Sequence, residues 1–265
     1  MPEKEDILLA TYLKQLYLAT IRECYQQVAL KAQQESLSYS QYLLELVELE
    51  CTTRHNKRIE RLLRESKLPV QKNIESFDLK RLPRKVAHQV STLLEGSFVD
   101  HRENVLLFGN PGSGKTHLVC AIGQELIRRR VRRVYFTPCS ILVQELLLAK
   151  RQLQLPRLLK RLANFEALII DDLGYVQQER EEMEVLFTLL ADRYERGTVM
   201  LTSNLPFSKW EVIFKDPMVT AAAIDRLVHH SVILELNLPS YRMAQAKENK
   251  STEERKEEKG DDITN

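Results

Sequence analysis

The stretch GNPGSGKTHL, Gly109 to Leu118, constrains this 265-residue chain more than any other. It fits the spacing G-x-x-x-x-G-K-[ST], preceded by the apolar run NVLLF and followed by HLVCAIGQELIRRR, a sequence suited to a helix. That order has physical content. Gly112 and Gly114 let the backbone curl so that its N–H groups point at phosphate oxygens, and a helix opening there adds its partial positive charge. Lys115 is then placed for the β and γ phosphates of a nucleotide, and the Thr116 hydroxyl for Mg²⁺. The candidate cofactor-binding segment is the whole loop: Gly109, Asn110, Pro111, Gly112, Ser113, Gly114, Lys115, Thr116 and His117.

A phosphate loop of this kind sits between a strand and a helix, and the rest of the chain supplies the sheet. The runs NVLLFG, RRVYFTP, ALIIDDLG, TVMLTSN and HSVILELN are short and apolar, and helical stretches separate them. Continuous rather than alternating apolar runs predict parallel strands covered on both faces. The expected class is α/β, with a helix over about 84–94 ahead of the first strand.

ALIIDDLG ends four apolar residues in Asp171 and Asp172, as a buried strand does where its carboxyl end meets a ligand. Asp171 is the candidate to complete the Mg²⁺ shell with Thr116, and Asp172 the candidate to orient or activate an attacking water. Asp172 is one methylene shorter than the glutamate common at such positions, which leaves open a scaffold that binds ATP but scarcely hydrolyses it. Asn204, closing VMLTSN, could hold that water, or could simply end its strand in a turn. Arg226, in AAAIDRLVHH, could stabilise transition-state charge in a neighbouring subunit, or could be a surface arginine paired with an acid. The candidate catalytic set is therefore Lys115, Asp172, Asn204 and Arg226. A kinase acting on a small acceptor would need an arginine-rich lid and an acceptor pocket, and neither is legible.

Residues 7–66 read as helices, with apolar side chains three and four apart from Leu9 to Tyr25, and with Ser40 as a candidate N-cap for the second stretch. Two prolines and no sustained period place a linker at 69–83 between a helical domain, 1–68, and the α/β domain, 84–244. Residues 245–265 are charged and almost without apolar residues, which predicts a disordered tail. Net charge is only +2, but residues 54–85 hold eleven basic residues against four acidic. Within them Arg54, Lys57, Arg58, Arg61 and Arg64 recur at helical spacing, a stripe able to track a phosphate backbone and equally able to be a solvated face. RRRVRR, Arg128 to Arg133, and the run from Lys150 to Arg161 add two more basic clusters. No aromatic residue interleaves with them, which favours duplex over single-stranded DNA. The acidic start MPEKEDILLA carries no secretion signal, no run is long enough for a membrane span, and the four scattered cysteines suggest reduced, buried thiols. Together these features predict a cytoplasmic protein.

GNPGSGKTHL, LIIDDLGY, LTSNLPF, IDRLVHHS and PSYR occur in an order that resembles the IstB-like transposition helper ATPases, kin of the DnaC-type helicase loaders among AAA+ proteins. The resemblance covers roughly residues 8–245. It implies a parallel AAA+ sheet sandwiched by helices, a small helical N-terminal domain and little or no C-terminal lid. It also implies ATP and Mg²⁺ as cofactors, Asn204 as sensor 1, Arg226 as an arginine finger, and a role for Arg242 near the nucleotide or a subunit interface. The partners it implies are duplex DNA bound largely without sequence preference, a transposase, and further copies of the chain in an ATP-dependent spiral or ring. A DnaC-like replicative helicase loader is the alternative.

Overall fold

The computed structural model describes residues 2–174 and 179–241. Two compact units divide the chain, Met1–Arg61 and Leu62–Asn265. Arg242 and the tail expected over 245–265 lie outside the described residues.

The first unit is built from α1 (Pro2–Gln15), α2 (Ala19–Gln34) and most of α3 (Tyr39–Glu65) around a thin core of Leu13, Ile21, Val28 and Leu46. Ser38, rather than Ser40, starts α3. Its hydroxyl accepts from the Gln41 N–H at 3.3 Å, while the Gln41 side chain accepts from the Ser38 N–H at 2.8 Å, the reciprocal pair of a capping box. Ser40 falls inside the first turn, where its hydroxyl is no longer placed to cap. The start of α2 has no side-chain cap of its own, since Leu18 precedes it. Glu50 of α3 takes that role, accepting from the N–H groups of Thr20 at 2.8 Å and Ile21 at 3.1 Å. Burial pushes the Glu50 carboxyl upward, but those two N–H groups and the Arg54 guanidinium more than offset it and hold it below its ordinary value.

The second unit carries α4 (Arg84–Glu95), β1 (Asn104–Gly109), α5 (Lys115–Arg130), β2 (Val134–Pro138), α6 (Cys139–Arg151), α7 (Leu155–Ala163), β3 (Ala167–Leu173), α8 (Arg180–Arg193), β4 (Thr198–Ser203), α9 (Glu211–Phe214), α10 (Pro217–Val228) and β5 (Ser231–Leu236). All five strands are parallel, in the order β2-β3-β4-β1-β5. Both faces are covered, which is why the strands read as unbroken apolar runs. Leu168 and Ile170 of β3 join Leu142 and Leu146 of α6 and Leu186 of α8 in the main core. Ile169 points the other way, against Gly123 of α5, where a Cβ would stand 2.7 Å from its Cδ1. From Leu118 to Ile127, α5 is buried between the sheet and its covering layer. Truncating a leucine such as Leu106 in this core costs about 2–5 kcal/mol.

The segment 69–83, expected as a linker, lies along this second unit. Gln124 of α5 donates to the carbonyls of Pro69 at 2.9 Å and Lys72 at 3.1 Å. Cys120 and Cys139 are buried and Cys24 half-buried, but Cys51 is exposed, which departs from the expected burial; all four are free thiols. Burial pushes the Cys120 thiol up to about 12. No described helix is long and apolar enough to cross a membrane.

Candidate nucleotide site

Parallel strands bring their carboxyl ends to one edge, and that edge holds most of the residues singled out above. The loop after β1 turns into α5 at Gly114, whose φ of +100° is a left-handed conformation that a side chain would strain. Gly112, at φ +79°, is required for a second reason: a Cβ there would run into the Ser240 hydroxyl. No side chain caps α5, so the donors of its first turn are left for an anion. Lys115 is buried and reaches back across the loop, donating to the Gly109 carbonyl at 2.8 Å, the Asn110 carbonyl at 3.0 Å and the Asn204 side-chain oxygen. The uncapped helix, the positive-φ glycines and this lysine fit a nucleotide polyphosphate.

The carboxylates reach the same edge through an irregularity in β3. In a regular strand Asp171 and Asp172 would point to opposite faces. Here the β3–β4 register shifts between Ile170 and Leu173, and Asp172 adopts φ +62°, a left-handed conformation that aspartate tolerates better than most residues. Asp171 stays buried while Asp172 is exposed and lines the pocket. Thr202 of β4 holds both: its hydroxyl donates to Asp171 Oδ1 at 2.6 Å and accepts from the Asp172 N–H at 2.9 Å. Burial raises the Asp171 carboxyl above its ordinary value, against the opposing hydrogen bonds of Thr202 and Thr116. A divalent cation would relieve that penalty, and the Thr116 hydroxyl and Asp171 carboxylate form a donor set suited to Mg²⁺.

The cavity at this edge encloses about 230 Å³. Two of its walls escaped sequence reasoning. One is the strap 72–81, with Lys72, Phe77 and Arg81 facing the cavity. Phe77 meets His117 edge-on at 5.2 Å, and the His117 imidazole lies 3.2 Å from the Ser76 hydroxyl and 2.9 Å from the Asn73 carbonyl. The other wall is Leu238 and Tyr241 after β5. Arg81 joins the two walls, donating to the Pro239 carbonyl at 2.9 Å with its guanidinium 5.0 Å from the Tyr241 ring centre. The Tyr241 N–H in turn donates to the Gly112 carbonyl at 3.0 Å. Such aperiodic segments carry no repeating pattern; a lone aromatic flanked by basic residues was the only signal.

Arg226 is not at this edge. It lies on α10, and the Asn104 side chain, at the first residue of β1, donates to the carbonyls of Arg226 and Leu227. That is the amino-terminal edge of the sheet, a six-residue strand or roughly 17 Å from the phosphate loop. Arg226 is half-buried, donates to the Ala222 carbonyl at 2.9 Å, and lies 4.8 Å from the Phe187 ring centre.

The basic clusters differ in how much of their charge is already engaged. Arg128 and Arg129 pair with Glu125, Arg132 with Asp100 and Glu166, and Arg133 with Glu65. In the run from Lys150 to Arg161, Lys150, Arg151 and Arg161 face Glu184, Glu181 and Glu145. On α3, Arg54 is held by Glu50 and by the Tyr17 carbonyl. Lys57, Arg58, Arg61 and Arg64 are exposed, and Lys57, Arg58 and Arg64 have no acidic partner among the described residues.

Known proteins resemble the chain in architecture and in sequence. The DnaC helicase loader superposes with a TM-score of 0.53 at 18% identity, over 63% of this chain and 97% of that one. AMPPCP-bound DnaA from Aquifex aeolicus gives 0.54 at 19% identity, over 69% and 55%. At such identities the likeness establishes the fold alone, a five-stranded parallel sheet covered by helices. A Sinorhizobium fredii chain named as an insertion sequence ATP-binding protein is 42% identical over 93% of this chain and 83% of its own length. One named for insertion sequence IS21 of Pseudomonas aeruginosa is 38% identical over 80% of each. The model of the IstB-like ATP binding protein family matches residues 11–249, and the chain belongs to that family.

Proposed function

We propose that the protein is an ATP-hydrolysing helper of DNA transposition that assembles on duplex DNA and engages a transposase. The observation that carries this reading is the convergence of Lys115, Thr116, Asp172 and Asn204 on one cavity, with Asp171 buried behind it. The first-turn N–H groups of α5 and Lys115 take the β and γ phosphates, which requires Lys115 to leave the Asn204 oxygen. Mg²⁺, held by Thr116 and Asp171, would neutralise charge on the phosphate oxygens. Asn204, released from Lys115, and Asp172 then orient a water. Its oxygen bonds to the γ phosphorus, its proton passes to the Asp172 carboxylate, and the bond from the γ phosphorus to the β–γ bridging oxygen breaks, giving ADP and phosphate.

Arg226 completes the site of the next copy. Held at the far edge, it is out of reach of its own phosphates but available to a neighbour's, so ATP between subunits favours a spiral or ring. The exposed α3 stripe of Lys57, Arg58, Arg61 and Arg64 is the surface offered to the DNA backbone. Its engagement of phosphates without base readout accounts for binding largely indifferent to sequence. The names of the insertion-sequence relatives support a transposase as the protein partner.

Fluorescence anisotropy with duplex and single-stranded DNA, in the presence of ATP, ADP or no nucleotide, tests this reading. Tight binding to duplexes of arbitrary sequence, dependent on ATP, is expected. Binding only to single strands would move the assignment to a helicase loader. Reversing Lys57 and Arg58 to glutamate should flatten the dependence of log K on log salt by about 0.9 for each phosphate that is no longer neutralised.

A further inference from the structure

The amino-terminal edge of the sheet carries a second group of ligand-bearing side chains, outside the nucleotide site. The turn after α8 presents Tyr194 and Glu195, and the junction between α10 and β5 presents His229 and His230. One ligand atom from each of Glu195, His229 and His230 lies within 4.8 Å of the others, and all three residues are exposed. Two imidazoles and a carboxylate form a borderline donor set of the kind that takes Zn²⁺ and its neighbours rather than Mg²⁺. Ligand atoms around a tetrahedral Zn²⁺ stand about 3.3 Å apart. Rotation of the exposed side chains would have to bring these three atoms closer.

The surroundings prepare the group for a cation. The Tyr194 hydroxyl lies 2.9 Å from His229 Nδ1. In the tautomer with its proton on Nδ1, His229 donates to that hydroxyl. That tautomer leaves the lone pair on His229 Nε2, the arrangement in which an outer partner fixes a metal-binding imidazole. Glu195 is also fixed from behind: its φ is +57°, and its carbonyl accepts from Arg102 Nη1 at 2.5 Å. Arg102 and Arg226 line the same hollow as Glu195 and His230.

We propose that Glu195, His229 and His230 form a binding site for one Zn²⁺-class ion, clamping the turn after α8 to the start of β5. Glu195 and His230 line a hollow that Arg226 also lines, so occupancy would fix the surface a neighbouring copy meets.

Untagged full-length protein, stripped with chelator and dialysed, is titrated with Co²⁺ and read by its visible d–d absorption, then with Zn²⁺ against a chromophoric chelator. One equivalent of Co²⁺ giving the intense bands of a four-coordinate site, displaced by Zn²⁺, is expected. The double variant His229→Ala, His230→Ala should weaken Zn²⁺ more than 100-fold and abolish the bands, and Tyr194→Phe should weaken it about 10-fold. The variant Thr116→Ala, Asp171→Asn removes the candidate Mg²⁺ ligands and should leave the Co²⁺ spectrum unchanged. The parent and double-histidine proteins should melt at the same temperature without metal, and only the parent should rise with Zn²⁺. Absence of a stoichiometric site in the parent would overturn the proposal. So would Zn²⁺ affinity unchanged by loss of both histidines, or a spectrum that disappears with Thr116 and Asp171.

Discussion

The two edges of the sheet are built from the same five strands and do different things. At the carboxyl-terminal edge, strand ends from β1, β3 and β4 deliver Lys115, Asp172 and Asn204 to one cavity with Asp171 buried behind it, and the straps after residue 71 and after β5 close it. At the amino-terminal edge the residues that could do chemistry are exposed or half-buried: Arg226, Arg102, Glu195 and the two histidines. The first edge is a pocket with its phosphate loop, carboxylates and the cations Lys72, Arg81 and Lys115, and in the proposed function it lacks only a cation supplied by a neighbouring copy. The second is a surface that carries such a cation and no phosphate loop. A parallel sheet separates the two by a strand length, so one copy cannot unite them. In the proposed function two copies would, and the separation would make hydrolysis depend on assembly.

The sharpest break in this comparison comes from Arg226→Ala. Loss of an arginine finger should lower the turnover of the assembled protein about 1000-fold or more, with nucleotide affinity of the isolated chain nearly unchanged. Equal loss of affinity and turnover, measured by labelled-nucleotide binding and phosphate release, would place Arg226 in a merely structural role. Asp172→Asn acts on the other edge. It should lower turnover about 100-fold to 10,000-fold while ATP binding and ATP-dependent DNA binding persist. A variant that still releases phosphate at the parent rate would return the protein to the scaffold reading that its short carboxylate left open.

Thr202→Val sharpens the account within the pocket. It removes the hydroxyl that fixes Asp171 and the bulged Asp172 N–H. Turnover should fall about 10-fold to 100-fold with a raised Mg²⁺ requirement, and Thr202→Ser should restore most of both. The smallest effect belongs to a control that leaves both edges intact. Glu50→Ala exposes the uncapped start of α2 and should cost about 1–2 kcal/mol in the helical unit, with nucleotide affinity unaltered. The Glu50 carboxyl is depressed in the folded chain, so its contribution is full above the ordinary glutamate range and is lost as pH falls through the folded value. The parent, but not the variant, should therefore lose this increment on acidification, as read by helical circular dichroism during thermal melts.

The edges were legible in the sequence to different degrees. The five strands and the phosphate loop were readable because burial on both faces makes apolar runs and because a backbone curled around phosphate needs glycine at fixed places. Asp171 and Asp172 were readable as a pair, but the bulge that turns Asp172 outward depends on how β3 meets β4, and Thr202 gains its role only through that pairing. Lys72, Phe77 and Arg81 were hidden in an aperiodic segment that reads as a linker. Glu50 caps a helix thirty residues away, and Arg132 spends its charge on Asp100 and Glu166, pairings that only the folded chain creates. Charge counting alone therefore overstated the basic surface near Arg128–Arg133.

The central claim, that a working site needs one edge from each of two copies, is tested most directly by mixing two inactive proteins. Lys115→Ala has an intact Arg226 but a crippled phosphate loop, and Arg226→Ala has an intact loop but no finger. Phosphate release is measured for each alone and for mixtures at constant total protein, with ATP, Mg²⁺ and duplex DNA. The account predicts activity in the mixture well above the sum of the separate rates, rising and falling with the mixing ratio. A mixture that merely adds, while both variants still bind DNA and associate, would contradict it.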